Sequence, residues 1–287
     1  MLGYKVLIFT KISELQYFLH EKRLKSQTIG FVPTMGALHP GHISLVLSSK
    51  NVCDLTICSI FVNPAQFNNK NDLQKYPKTP EEDIKLLKKA HCDALFMPST
   101  KEMYPEKDVP INIDFGYLDK ILEGKHRPGH FNGVALIVSK FFEIINPHKA
   151  FFGSKDYQQV LIIKSLVQKL KLNLQIVVCP TLREIDGLAM SSRNTLLNDV
   201  ERKAAEFIPE LMNKASSLKK QGIDIDEIKK QIKSELQSNK IYKLDYFSIC
   251  DAETLHELNL FSEAKHQIAL MACYVGKIRL IDNLLLS

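Results

Sequence analysis

The chain reads as an α/β protein: a parallel sheet covered by helices on both faces, followed by a smaller α+β unit. Three observations carry that reading. Up to about residue 181, short apolar runs alternate with helical patterns, as in a parallel sheet buried on both sides. One of these runs passes straight into a glycine-containing turn and a helix start at residues 33–42. Beyond residue 181 the alternation stops, and amphipathic helices are followed by short strand candidates.

The strand candidates of the first part are residues 6–9, 28–32, 55–62, 94–97, 150–152 and 174–179. Between them, residues 13–25 place Leu15, Phe18 and Leu19 at helical spacing, with Ser13 expected as the N-cap. Residues 43–49 continue the turn as a helix. Thr79-Pro80-Glu81-Glu82 opens another: Thr79 caps, Pro80 takes the first turn, and the acids complement the helix dipole. Residues 131–145 and 157–170 complete the set. In the second part, residues 198–220 and 224–238 are expected as two amphipathic helices separated by Gly222. Residues 243–250, 268–275 and 278–282 are expected as a small antiparallel sheet. A length of 287 residues admits two ordinary domains, expected at 1–181 and 182–287.

Composition excludes several classes of function. No apolar run approaches the roughly 20 residues that span a bilayer. No small-residue cleavage site follows residues 1–10, so a strand is expected there in place of a signal peptide, and a cytoplasmic location with it. The net charge of +6 is mild, and the lysines of residues 214–240 are mixed with acids, as on a solvated helix face. With no tryptophan and no aromatic-basic repeat, nucleic acid is not an expected partner. The six cysteines form no Cys-x-x-Cys pair, so they are expected as buried free thiols.

The chemistry is concentrated in five segments. In Pro33-Thr34-Met35-Gly36-Ala37-Leu38-His39-Pro40-Gly41-His42, a strand enters a helix N-terminus, whose unpaired amides and dipole favour an anion. His39 and His42 add two side-chain donors, and His-x-Gly-His is a pattern of enzymes that attack the α-phosphate of a nucleotide. Asn63-Pro64-Ala65-Gln66 ends a strand with two amides suited to a hydroxyl or a carboxylate; they would equally serve a turn's own backbone. Arg127-Pro128-Gly129-His130-Phe131, after Lys125 and His126, is either an anion site or a surface loop. In Gly153-Ser154-Lys155-Asp156, the glycine admits a ligand close to the backbone, Lys155 suits phosphate, and Asp156 suits ribose hydroxyls or a helix cap. Gln159 lies one turn beyond Lys155. Met190-Ser191-Ser192-Arg193 offers hydroxyls and an arginine for a triphosphate, or a polar linker.

Taken together, in this order and spacing, these motifs resemble the pantoate–β-alanine ligase (pantothenate synthetase) family over essentially the whole chain. Tyr76-Pro77-Lys78-Thr79-Pro80, Leu122-Glu123-Gly124 and the C-terminal Gly276-Lys277-Ile278-Arg279-Leu280-Ile281-Asp282-Asn283 add to the likeness. Ser154 departs from it, since the family often has Glu there. The resemblance implies a Rossmann-like nucleotidyltransferase domain of the His-x-Gly-His type with a C-terminal α+β lid domain. It also implies condensation of pantoate with β-alanine through pantoyl adenylate, consuming ATP and releasing AMP and pyrophosphate.

Under this resemblance His42, His39, Lys155 and Arg193 are catalytic. ATP is held by Met35, Gly36, Ala37, Leu38, His39, Pro40, Gly41, His42, Gly153, Ser154, Lys155, Asp156, Leu182, Met190, Ser191, Ser192 and Arg193. Gln66 and Gln159 hold pantoate, with Asn63 supporting the turn and helping the pyrophosphate end or the second substrate. Mg²⁺ is bound mainly through the nucleotide, with no protein metal ligands assigned, and the assembly is a homodimer. Two rival readings are a His-x-Gly-His nucleotidyltransferase acting on a phosphate acceptor, and a non-catalytic ATP-binding regulator.

Overall fold

A computed structural model describes residues 5–68, 70–105 and 113–286. Its first part runs Leu7–Phe9 (β1), Ile12–Leu24 (α1), Ile29–Thr34 (β2), Pro40–Lys50 (α2), Leu55–Ile60 (β3), Lys70–Lys75 (α3), Pro80–Lys89 (α4), Ala94–Phe96 (β4) and Thr100–Met103 (α5). Leu122–His126 (α6), His130–Ile145 (α7), Lys149–Gly153 (β5), Tyr157–Lys169 (α8) and Gln175–Cys179 (β6) follow. The remainder runs Asp199–Ala205 (α9), Phe207–Lys220 (α10), Ile225–Gln237 (α11), Tyr242–Asp251 (β7), Gln267–Val275 (β8) and Ile278–Leu286 (β9). The chain divides into two units. One extends to Ser154 and includes Gln159–Pro180; the other takes Lys155–Gln158 and the chain from Thr181 onward.

The first unit is built on a parallel sheet of order β1-β4-β3-β2-β5-β6. Its inner strands β2, β3, β4 and β5 are mostly buried because both faces are covered, whereas the edge strands β1 and β6 are partly exposed. On β2, Ile29 and Phe31 enter one core with Leu15 and Leu19 of α1 and Phe141 and Phe142 of α7. Val32 enters the other, with Val46 of α2 and Leu87 of α4. From β2 the chain steps outward through β3 to β4, then crosses back to β5 on the other side of β2. The strand order therefore reverses between β2 and β5. Ligands of such sheets bind beyond the carboxyl ends at this reversal, which here are Thr34 and Gly153.

The second unit carries the antiparallel sheet β7-β8-β9. Leu211 and Ala215 of α10 and Ile228 and Ile232 of α11 share one core with Met271 and Cys273 of the central strand. A short hairpin pairs Arg183 with Ala189. Arg183 Nη1 and Nη2 donate to the two carboxylate oxygens of Asp282 at 2.7 and 2.9 Å, fastening that hairpin to β9.

Four expectations need correction. Thr79 stands at the N-cap position of α4 without a side-chain cap, its Oγ1 donating to Asp83 Oδ1 at 3.1 Å. Helix α1 is not capped by Ser13: it begins at Ile12, whose amide donates to Glu102 Oε1 of α5 at 2.9 Å. Residues 198–220 are two helices, not one, because Pro209 lacks the amide that would bond the Ala205 carbonyl. Strand β9 runs past residue 282 to Leu286. Asp282 and Asn283 break its apolar pattern, but Arg183 pairs with the first and bonds the carbonyl of the second, so the strand continues.

Helix α7 lies so close to the turn after β3 that a Cβ on Gly133 would overlap the Ala65 carbonyl oxygen. Backbone cannot give way as a flexible side chain can. Gly133→Ala should therefore cost about 1–3 kcal/mol, read as a lowered urea midpoint at unchanged slope. All six cysteines are free and buried, and burial pushes the Cys92, Cys250 and Cys273 thiols up to about 12. A thiol-reactive dye at pH 8 should label none of the six promptly in the native protein and all of them in denaturant.

Candidate active site

Strand β2 ends at Thr34, and the chain turns into α2 through two successive residues in the left-handed region, Gly36 at φ 82° and Ala37 at φ 49°. Such a turn directs its next amides to one side, where an anion fits. The anion present is the chain's own. Asp83 of α4, only 1% exposed, accepts from Ala37 N at 3.0 Å with Oδ2 and from Leu38 N at 2.8 Å with Oδ1. Gly36 N bonds Thr34 Oγ1 at 3.2 Å. The amides of residues 36–38 thus have acceptors within the protein.

The histidines take over at the helix start. His39 is the N-cap of α2, and its Nδ1 accepts from Gly41 N at 3.2 Å. His42 Nδ1 accepts in return from His39 N at 3.3 Å. Their rings lie 4.0 Å apart, centroid to centroid. A ring nitrogen that accepts from an amide carries no proton, so in each neutral ring the proton sits on Nε2. Each histidine therefore has Nε2–H as its side-chain donor.

The amides after β3 are organised by burial. Asn63 is 1% exposed and fully engaged. Its Nδ2 donates to Gly133 O at 2.9 Å and Gln66 Oε1 at 3.2 Å; its Oδ1 accepts from Tyr104 Oη at 2.6 Å and Ala65 N at 3.3 Å. Asn63 thus braces the turn and orients Gln66. Gln66 Nε2 reaches Met35 Sδ at 3.0 Å, which brings the turns after β2 and β3 side by side. Behind them His130 is not on a surface loop but starts α7. It is 7% exposed, its Nδ1–H donates to the Gln66 carbonyl at 2.8 Å, and its Nε2 lies 3.3 Å from Arg127 Nη1.

Of the other sequence candidates, Gly153 stands at the end of β5, and a Cβ built there meets nothing within 4 Å. Ser154 follows it, and Gln159 lies half-buried on the first turn of α8. Lys155 and Asp156 belong to the second unit, where the Lys155 carbonyl accepts from Asn283 Nδ2 at 2.8 Å. Leu182, Met190, Ser191, Ser192 and Arg193 also lie in that unit. The Leu182 carbonyl accepts from Met190 N at 3.0 Å, and Ser191 Oγ caps a turn by accepting from Arg193 N at 3.2 Å. Sequence reasoning missed Asp83 and Tyr104. Asp83 left a signal, since it shares the buried face of α4 with Leu87; Tyr104 left none. Among the described residues no group of three or more His, Cys, Asp or Glu side chains is placed to hold a metal ion, and no helix is long and apolar enough to cross a membrane.

A histidine-capped helix at the strand-order reversal, with the buried amide turn of Asn63 and Gln66 beside it, is suited to a phosphate next to a substrate that offers hydroxyl and carboxylate oxygens. Comparison with known proteins leads to the same chemistry. Residues 7–285 match the family model described as pantoate-beta-alanine ligase. The pantothenate synthetase of Porphyromonas gingivalis is 43% identical over 277 residues, covering 96% of this chain and 98% of the relative. That of Cytophaga hutchinsonii is 44% identical over 278 residues, covering 96% and 98%. Among solved structures, pantothenate synthetase from Thermus thermophilus superposes with a TM-score of 0.91 at 36% identity, covering 97% of this chain and 99% of that one. Pantoate-beta-alanine ligase from Francisella tularensis, complexed with beta-gamma ATP and beta-alanine, gives 0.83 at 39% identity, covering 98% of each. With nearly every residue inside the match, the chain belongs to the pantoate–β-alanine ligase family.

Proposed function

We infer that this chain joins pantoate to β-alanine at the expense of ATP, as an AMP-forming ligase of a C–N bond. The observation that carries the reading is the His39–His42 turn standing at the strand-order reversal of a chain that matches the ligase family over residues 7–285. A phosphate-acceptor transferase would call for cations where Gln66 stands, and a regulator would need no paired histidines. Neither rival is favoured by relatives named as synthetases.

The reaction divides into two displacements. A pantoate carboxylate oxygen attacks the α-phosphorus, the bond to the bridging oxygen breaks, and pyrophosphate leaves. The β-alanine nitrogen then attacks the activated acyl carbon, the acyl–oxygen bond breaks, and AMP leaves. The first step concentrates negative charge on phosphate oxygens, so catalysis there is positioning plus preorganised donors. In our reading His42 and His39 supply those donors from Nε2. Gln66, held by Asn63, takes the pantoate hydroxyl and carboxylate oxygens together with Gln159. Gly153 and Asp156 serve the ribose, and the Leu182 backbone serves the adenine. Lys155, Ser191, Ser192 and Arg193 carry the charge and hydroxyls that a triphosphate calls for, with Met190 beside them. Mg²⁺ enters with the nucleotide as MgATP. The family resemblance supports a homodimer in the cytoplasm.

Pyrophosphate–ATP isotope exchange tests the reading. Exchange should require pantoate and proceed without β-alanine. A folded, ATP-binding protein that shows no such exchange would remove the adenylate step. His42→Ala should lower turnover by roughly 10²–10³-fold, measured as steady-state pantothenate formation, with the fold retained by circular dichroism.

A further inference from the structure

We propose that Asp83 is a positioning residue for the His39–His42 pair, and that it occupies the anion-binding concavity of this turn in place of a phosphate. The inference rests on the ligase reading of the two histidines. Its basis is geometric. The carboxylate is 1% exposed and uses one oxygen for each amide: Oδ2 for Ala37 N at 3.0 Å and Oδ1 for Leu38 N at 2.8 Å. Thr79 Oγ1 donates to Oδ1 as well, at 3.1 Å, which fixes the rotation of the carboxylate. A Cβ on Gly36 would stand 3.1 Å from Oδ2 and 3.0 Å from Ile60 Cγ2, so glycine at this position lets the carboxylate approach closely.

The consequence falls on His39. Leu38 is its neighbour in the chain, and the Leu38 amide is one of the two that Asp83 holds. Ala37 is in a conformation that a residue with a Cβ disfavours by roughly 1–2 kcal/mol. Two charge-assisted hydrogen bonds oppose its relaxation. Without the carboxylate, two part-buried or buried amides lose their acceptor, the alanine is free to leave the left-handed region, and the N-cap histidine shifts with it. The Ala37 and Leu38 amides, bonded to Asp83 in the native turn, are not available to the nucleotide's phosphates.

The test is Asp83→Asn in the full chain, read by two independent measurements. Amide hydrogen exchange at Ala37 and Leu38 should quicken at least about tenfold, since an asparagine can accept with only one of its two terminal atoms. Pantoate-dependent pyrophosphate–ATP exchange should fall about 10–100-fold, the cost of a misplaced donor. Conversion of supplied pantoyl adenylate with β-alanine should stay within about threefold, because no pyrophosphate leaves in that step. Amide exchange and pyrophosphate exchange both unchanged would overturn the proposal. So would an equal loss in both half-reactions, which marks a merely structural residue. A loss abolished by raising Mg²⁺ would also overturn it, because the carboxylate would then be serving the nucleotide's metal. If Asp83→Asn does not fold, Thr79→Val carries the test. It leaves the carboxylate but frees its rotation, and should shift both readouts in the same direction by less; no shift overturns the proposal. If the wild type itself shows no pyrophosphate exchange, the ligase reading fails, while amide exchange still reports whether Asp83 holds the turn.

Discussion

A parallel strand buried on both faces can offer chemistry only beyond its carboxyl end. β2 is such a strand, hydrogen-bonded to β3 on one side and β5 on the other, with the core of α1 and α7 against one face and the core of α2 and α4 against the other. Its interior residues are committed to packing. Whatever acts on a ligand must come from the residues just after Thr34, and from the ends of the strands beside it. The turn after β3, which carries Asn63 and Gln66, and the glycine that ends β5 answer to the same constraint.

Leaving a sheet sharply exposes amides, and the protein satisfies them from within. Asp83 reaches from α4 to the turn, the two histidines close the first turn of α2, and Asn63 binds its own turn to α7. In each case a polar side chain accepts from or donates to backbone, and the saturated group then fixes the orientation of a neighbour. Arg183 and Asp282 do the same in the second unit, where an ion pair secures a hairpin to a strand. An unsatisfied buried amide costs on the order of 1–3 kcal/mol, so these bonds are conditions for the turns to exist.

The strands of the parallel sheet were legible because each is a short, mostly apolar run. The histidine turn was legible because its chemistry is contiguous in the chain. What was not legible acts at a distance. Pro209 ends a helix at the carbonyl four residues before it, so the break at Glu206 falls where no breaker stands. Tyr104 reaches Asn63 across 41 positions and His130 reaches Gln66 across 64; only the packing of α7 and α5 makes them neighbours. Asp83 was within reach. As one of three acids in the first turn it reads as a dipole partner, yet it lies four residues before Leu87, on the buried face of its helix. A carboxylate on an apolar stripe has to be bonded to something.

His39 uses its ring at both ends. One nitrogen closes the helix on which the residue stands, and in our reading the other meets phosphate, about 2 Å further out across a flat ring. Asparagine reproduces the first function but is too short for the second. Glutamine has the reach, but its single amide group cannot be in both places. Substitution at this position therefore has no conservative direction: a replacement that keeps the cap forfeits the donor, and one that keeps the donor gives up the cap that aims it.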